Sequence, residues 1–160
     1  MSDQYFRQLR NVELSTIYYI DTQVTANWSN IPVLKSRPNF DAVDPPLITV
    51  KALSVIPNLR EIGSRLMENT YNIMVDIYAT SDGQKLDLAQ FIEDILVQDW
   101  IYYLHSQTSG NPRQLDRVAN GKIKWQKFTQ HSTIDFAEDV EKPDRFRYVL
   151  AFNARVSKNA

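Results

Sequence analysis

The sequence predicts an α+β fold, in which helices pack on one side of a mostly antiparallel or mixed sheet that also carries a hairpin or long loop extension. Residues 71–78 and 146–156 alternate apolar and polar side chains, which is the period of a strand with one buried face. Residues 88–96 instead repeat apolar side chains at helical spacing. Strands grouped before and after helices favour an α+β arrangement.

The stretch from Glu68 to Leu96 predicts a strand, a tight turn and a helix that folds back onto the strand. Ser81–Gly83 supplies the turn residues. Asp87, with Gln90 three residues later, approximates a capping box near the start of the helix. The expected buried stripe of this helix consists of Leu88, Phe91, Ile92, Ile95 and Leu96.

The N-terminal part predicts a helix, an arm and a second strand. Apolar residues at helical intervals indicate a helix over Ser2–Asn30. Residues 31–46 begin with a possible short strand at 31–34, and their prolines predict a loop or extended arm. Residues 47–56 alternate again, and we expect them to pair with residues 71–78 through a long connection.

The C-terminal part predicts further strands separated by loops. Residues 100–104 indicate either a short strand or an extension of the preceding helix. Residues 105–116 include serine, glycine, asparagine and proline in succession and predict a loop. Residues 117–128 predict a strand with one basic face, and Glu138–Asp144 an acidic turn.

Length and composition indicate one domain spanning residues 1–160, since 43% of its residues are hydrophobic and can fill a single core. The formal net charge of −1 provides no overall attraction to nucleic acid or anionic membrane. The absence of cysteine excludes disulfides and thiolate metal sites, and it fits assembly in a reducing cytoplasm. The polar N-terminus does not resemble a signal peptide, and no apolar run reaches the roughly 18 residues of a membrane span.

Catalytic, cofactor-binding and metal-binding residues are not predicted, so we do not expect an enzyme. The two histidines, His105 and His131, lack the spacing of metal ligands. The four glycines are too widely separated for a phosphate-binding loop. Glu93 and Asp94 are adjacent on the predicted helix, where side chains point about 100° apart, so a solvated face is the better interpretation.

A basic segment and a surplus of aromatic residues indicate an interface. Lys122 and Lys124 alternate with aromatic and apolar residues, which would suit nucleic acid. However, Trp125 shares a face with Ile123 and is expected in the core, which favours a solvated strand or a protein interface. Seven Phe, eight Tyr and three Trp exceed what a small core readily absorbs. The candidate interface residues are Lys35, Arg37, Phe40, Arg113, Arg117, Lys122 and Lys124.

The chain resembles the tail terminator, or tail completion, proteins of long-tailed bacteriophages. The resemblance includes the N-terminal helix, the proline-rich approach to LITVKALSV, the segment LREIGSRLMENTYNIMVDIYA, DGQKLDLAQFIEDIL and the closing FRYVLAFNARV. The IYA triplet followed by Asp87-Leu88-Ala89 is its most specific part. Residues 98–120 depart from the family pattern.

This resemblance implies a structural virion protein that forms a homohexameric ring at the head-proximal end of the tail. Such a ring ends polymerisation of the tail tube and forms part of the head-tail joining interface. Its partners are the tail tube protein and a head-tail connector or stopper protein, and phage DNA passes through its lumen without sequence-specific binding. The alternatives are a head-completion stopper or tail adaptor protein of the neck and, from another class, a small single-stranded nucleic-acid-binding domain.

Overall fold

The computed structural model describes residues 5–35, 45–59, 67–108, 111–134 and 146–158. Two helices and six strands follow one another in the order α1 (Gln8–Asn27), β1 (Val33–Leu34), β2 (Leu47–Leu59), β3 (Met67–Tyr78), α2 (Asp82–Leu96), β4 (Trp100–Thr108), β5 (Asn111–Ile134) and β6 (Arg147–Lys158). All six strands belong to one sheet, in the spatial order β1-β2-β3-β6-β5-β4. Neighbouring strands are antiparallel except β1 and β2, which are parallel.

The predicted fold class, α+β with helices packed on one side of a sheet, is wrong. The protein is mostly β, and its sheet curls into half a barrel accompanied by two helices. Strand β5 contains two register irregularities, and bulges increase the local bend and twist of a strand. The β5–β6 register slips between Trp125 and Lys127 and again between Phe128 and Gln130.

The predicted loop at residues 105–116 is also wrong. Strand β4 continues to Thr108 and β5 begins at Asn111, so His105 pairs with Arg117 and Gln107 with Leu115. Asn111 and Pro112, two of the residues that indicated a loop, lie within β5. The strand alternative for residues 100–104 is therefore confirmed.

Two hairpins extend beyond the C-terminal end of β6. On one side of β6, its pairing with β3 ends at Thr70 and Arg155, and on the other side its pairing with β5 ends at Gly121 and Lys158. Beyond these pairs, β2 and β3 stay paired through residues 53–59 and 67–69. Likewise, β5 stays paired with β4 through residues 111–120. In β2 the register slips at Leu53, whose side chain is 48% exposed.

Helix α1 hydrogen-bonds to strands at both edges of the half barrel. On β4, the N–H groups of Tyr103 and His105 donate to Ser15 Oγ at 2.9 Å and to Asn11 Oδ1 at 3.0 Å. On the far side of the sheet, Glu13 Oε2 accepts from the N–H of Ala52 in β2 at 2.8 Å, beyond the short β1. Since Glu13 lies two residues from both Asn11 and Ser15, it points about 200° around the helix from them. The helix thus bridges the gap between the two sheet edges.

The buried side of α1 is partly polar, although apolar residues at helical intervals predicted this helix. Tyr18, one of those apolar residues, is 37% exposed, whereas Asn11, Glu13 and Ser15 are buried. Polar side chains are buried here because each accepts a backbone hydrogen bond that a sheet edge would otherwise leave unmade.

The core joins both helices to the strands, as their alternation predicted. Every second residue of β3 from Tyr71 to Ile77 is buried, and Leu150, Phe152 and Ala154 of β6 contact the same cluster. The predicted stripe of α2 is confirmed, with Phe91 its only partly exposed member. The predicted start of α2 near Asp87 is wrong, because Asp87 lies within the helix. Ser81 caps the helix, and its side-chain oxygen accepts a hydrogen bond from the N–H of Gln84.

Candidate subunit interface

The structure separates the predicted interface residues into two regions. Lys35 follows β1 and pairs with the Glu13 carboxylate at 3.3 Å, beside one edge of the sheet. Arg117, Lys122 and Lys124 lie on β5, near the opposite edge, and their side chains are exposed. Arg37 and Phe40, like the predicted acidic turn, lie outside the described residues. Arg113 is within β5, but its side chain also lies outside them.

The lysines of β5 form part of a basic and apolar face on the side of the sheet away from the core. Ile123 between them is fully buried, so Lys122 and Lys124 point to the opposite side. Lys124 lies directly across from Arg155 of β6, and Lys122 lies across from Ile101 of β4. Ile101 is 46% exposed. We refer to Ile101, Lys122, Lys124 and Arg155 as the basic face.

The basic face carries exposed positive charge at Lys122 and Lys124. The Arg155 guanidinium donates to the Gln126 amide oxygen when that amide is turned with its oxygen toward it, and this contact orients the arginine. The two exposed ammonium groups would favour a negatively charged partner at this face.

The aromatic residues of the same strand do not form a stacking platform. Trp125 contacts Phe128 with ring centroids 5.2 Å apart, and Phe128 contacts Phe152 of the core at 6.4 Å. Both rings are partly buried and pack against the core. The lysines are more exposed than the neighbouring rings.

Arg117 takes part in a separate aromatic cluster between β4 and α1. Its guanidinium carbon lies 4.0 Å from the centroid of the Tyr18 ring, and Tyr18 meets Tyr103 edge to face at 5.5 Å. A groove of about 390 Å³ runs beside this cluster, where Tyr19 stacks on Trp100 with centroids 5.4 Å apart. This cluster accounts for several of the aromatic residues that the sequence left in surplus.

Sequence reasoning placed Asp94 on a solvated face of α2, but it did not identify the exposed apolar residues that share this face. Leu86 and Val97 are 48% and 50% exposed. Asp87, Gln90 and Asp94 are exposed between them, and Gln90 donates to Asp94 at 2.9 Å. These five residues, named here the acidic face, lie on the side of α2 away from its buried stripe. The sequence did contain an indication of this apolar surface, because Leu86 and Val97 lie outside the predicted buried stripe.

Glu93 is half buried, in contrast to the solvated position predicted for it. His131 Nδ1 lies 3.2 Å from Glu93 Oε1. Burial raises the pKa of the Tyr148 hydroxyl, and the Glu93 carboxylate, which also hydrogen-bonds to it, raises that pKa further. These groups come from α2, β5 and β6, so no local spacing could have predicted their contact.

His105 lies at a buried junction and is not part of an exposed site. Its Nδ1 lies 3.2 Å from Asn11 Oδ1, and its carbonyl accepts from the N–H of Phe6 at 2.9 Å. Burial, followed by the nearby Arg117 charge, lowers the pKa of the imidazole to about 4. The second histidine is 26 positions away on β5, and among the described residues no group of three or more His, Asp or Glu side chains has metal-binding geometry.

The comparisons with known proteins assign no family. No protein-family model matches the chain, and a search of curated proteins gave no match. Neither described helix is long and apolar enough to cross a membrane. The geometry defines a β-rich domain with a basic face and an acidic face, both containing exposed apolar side chains.

Proposed function

We propose that this protein is a structural subunit of a phage tail, which assembles as a ring on the head-proximal end of the tail tube and ends its polymerisation. The observation that carries the proposal is the pair of exposed faces, one basic and one acidic, each with large apolar side chains. Contiguous exposed apolar and charged surface is typical of protein interfaces. The sequence resemblance to tail terminators supplies the biological setting.

In this proposal the ring is a homohexamer that binds the tail tube protein on one side and a connector or stopper protein on the other. It resides in the virion after assembly in the host cytoplasm, and phage DNA passes through its lumen. Two different faces on each subunit support a ring, because heterologous contacts close into rings when the rotation permits. The subunit acts by binding and not by catalysis.

The experiment is to polymerise the tail tube protein from the same source with and without this protein, and to image the products by negative-stain electron microscopy. We expect shorter tubes that carry a ring at one end. Tubes of unchanged length with bare ends would contradict the proposal. Binding to the connector alone, without binding to tubes, would instead support the stopper or adaptor alternative.

A single-stranded nucleic-acid-binding domain remains the alternative from another class, and the basic face is the observation in its favour. Trp125 and Phe128 argue against it, since base stacking requires exposed rings and these contact the core. Binding of a labelled oligonucleotide that weakens steeply as salt rises would support this alternative.

A further inference from the structure

We propose that the acidic face of one copy of this protein docks on the basic face of a second copy, as the repeating contact of the assembly. This inference rests on the proposed function and deepens it by assigning the two surfaces that meet. The acidic face consists of Leu86, Asp87, Gln90, Asp94 and Val97 on and just after α2. The basic face consists of Ile101, Lys122, Lys124 and Arg155.

The two faces are complementary in charge and in apolar content. Asp87 and Asp94 provide two carboxylates, and Lys122 and Lys124 provide two exposed ammonium groups on alternate positions of one strand. Leu86 and Val97 offer apolar surface on one face, and Ile101 offers it on the other. Burying apolar groups inside a charged rim is the usual anatomy of a specific interface.

The two faces cannot meet within one molecule. The buried stripe of α2 contacts the same core as Ile123 of β5, so its acidic face points outward from that side of the sheet. Lys122 and Lys124 flank Ile123 and point away from the core on the other side. Each copy therefore offers one face to each of two neighbours, which is the requirement for a heterologous assembly.

The contact should also depend on salt. Carboxylates from a neighbouring α2 would lie near the exposed ammonium groups of Lys122 and Lys124. The contact should weaken as salt rises from about 0.1 M to about 1 M, because the Debye length falls from about 10 Å to about 3 Å.

Charge reversal with rescue tests this contact. One variant carries Lys122→Glu and Lys124→Glu, and another carries Asp87→Lys and Asp94→Lys. We expect each alone to weaken self-association by about tenfold or more in light scattering, since attraction becomes repulsion at two positions. An equimolar mixture of the two variants should assemble again with the variants alternating, because both faces of one variant are then acidic and both faces of the other are basic. The matched control, Asp21→Lys with Lys51→Glu, changes exposed charges elsewhere and should assemble like the wild type.

Cysteine cross-linking provides a second measurement that does not depend on charge. The chain has no cysteine, so the double variant Leu86→Cys with Ile101→Cys contains the only thiols. Under oxidation, we expect it to form a ladder extending beyond dimers. In a mixture of the single variants Leu86→Cys and Ile101→Cys, cross-linking should stop at a heterodimer. Its disulfide would join the acidic face of one copy to the basic face of the other.

Two results would overturn the inference. The first is wild-type assembly that neither reversal weakens, and the second is the absence of both self-association and a cross-linked ladder. Either result leaves the tube-capping experiment to decide the proposed function separately, because a protein can cap tubes through other surfaces. Rings that form and fail to cap tubes would instead uphold the contact and contradict the proposed function.

Discussion

The carboxylate of Glu13 accepts a hydrogen bond from the backbone N–H of Ala52 at 2.8 Å, joining the N-terminal half of α1 to an edge of the sheet. The same carboxylate pairs with Lys35 at 3.3 Å. Its side chain is only 9% exposed, whereas that of Lys35 is 61% exposed. The hydrogen bond to the backbone is therefore the more important of the two contacts.

Replacing Glu13 by alanine should destabilise the protein by about 1–3 kcal/mol, because the Ala52 N–H loses its acceptor in a part-buried position. Urea denaturation would measure the change in the free energy of unfolding. Glu13→Gln retains a hydrogen-bond acceptor, so we expect a smaller loss in the free energy of unfolding. Lys35→Ala is the control, and equal losses from Glu13→Ala and Lys35→Ala would contradict this assignment.

Acidification should destabilise the protein through His105. Because burial and the nearby Arg117 and Arg10 charges lower its pKa from 6.5 to about 4, the folded protein binds fewer protons than the unfolded chain between these values. The stabilisation is complete above about pH 6.5 and is lost as the pH falls toward about 4. The slope contributed by this one group reaches at most about 1.4 kcal/mol per pH unit.

Urea denaturation at a series of pH values measures that slope. His105→Gln should flatten it between pH values of about 6.5 and 4, whatever its effect on stability at neutral pH. His131→Gln removes a histidine whose side chain is 59% exposed and should leave the His105 contribution in place. An unchanged slope in His105→Gln would show that other groups control the acid response.

Gly121 should not tolerate a side chain. Its φ is +140°, and an added Cβ would overlap the carbonyl oxygen of Ser157 on β6. We expect Gly121→Ala to destabilise the protein by about 2 kcal/mol or more, since strain and a backbone clash combine. Thermal unfolding would record the loss.

Gly83 provides a matched control for this substitution. It lies in the first turn of α2, and a Cβ there would have no heavy atom within 4 Å. Gly83→Ala should raise stability by up to about 1 kcal/mol, because alanine favours the helix and restricts the unfolded chain. Similar losses at both glycines would indicate that crowding at Ser157 is not the cause.

The regular elements were predictable because their side chains alternate or repeat with a single period. The strand over residues 71–78 and the stripe of α2 each bury one face against a common core, and that constraint is visible locally. The pairing of β4 with β5 beyond residue 105 was not predictable from composition, because its exposed residues Gln107, Asp116 and Arg117 are polar and lie on strands that extend beyond β6. Bulges in β5 further interrupt the alternation on which strand prediction depends.

Parts of the candidate interface were also accessible from sequence. Lys122 and Lys124 were identified because alternation with Ile123 places them away from the core. Asp94 was placed on a solvated face of α2, but Leu86 and Val97 were not recognised as exposed apolar surface on that face. Arg117 was identified from sequence as a candidate interface residue. Its contact with the Tyr18 ring was not, because that contact depends on α1 lying beside β4.

The sequence by itself determined the strands over residues 71–78 and 147–156 and the buried stripe of α2, because hydrophobic periodicity is a local property. Only the tertiary structure decided that the sheet curls into half a barrel and that α1 bridges its edges. Asn11, Glu13 and Ser15 are polar residues on a helix, and nothing in their order indicates burial. They are buried because backbone groups of distant strands, at Ala52, Tyr103 and His105, require hydrogen-bond acceptors where the sheet ends.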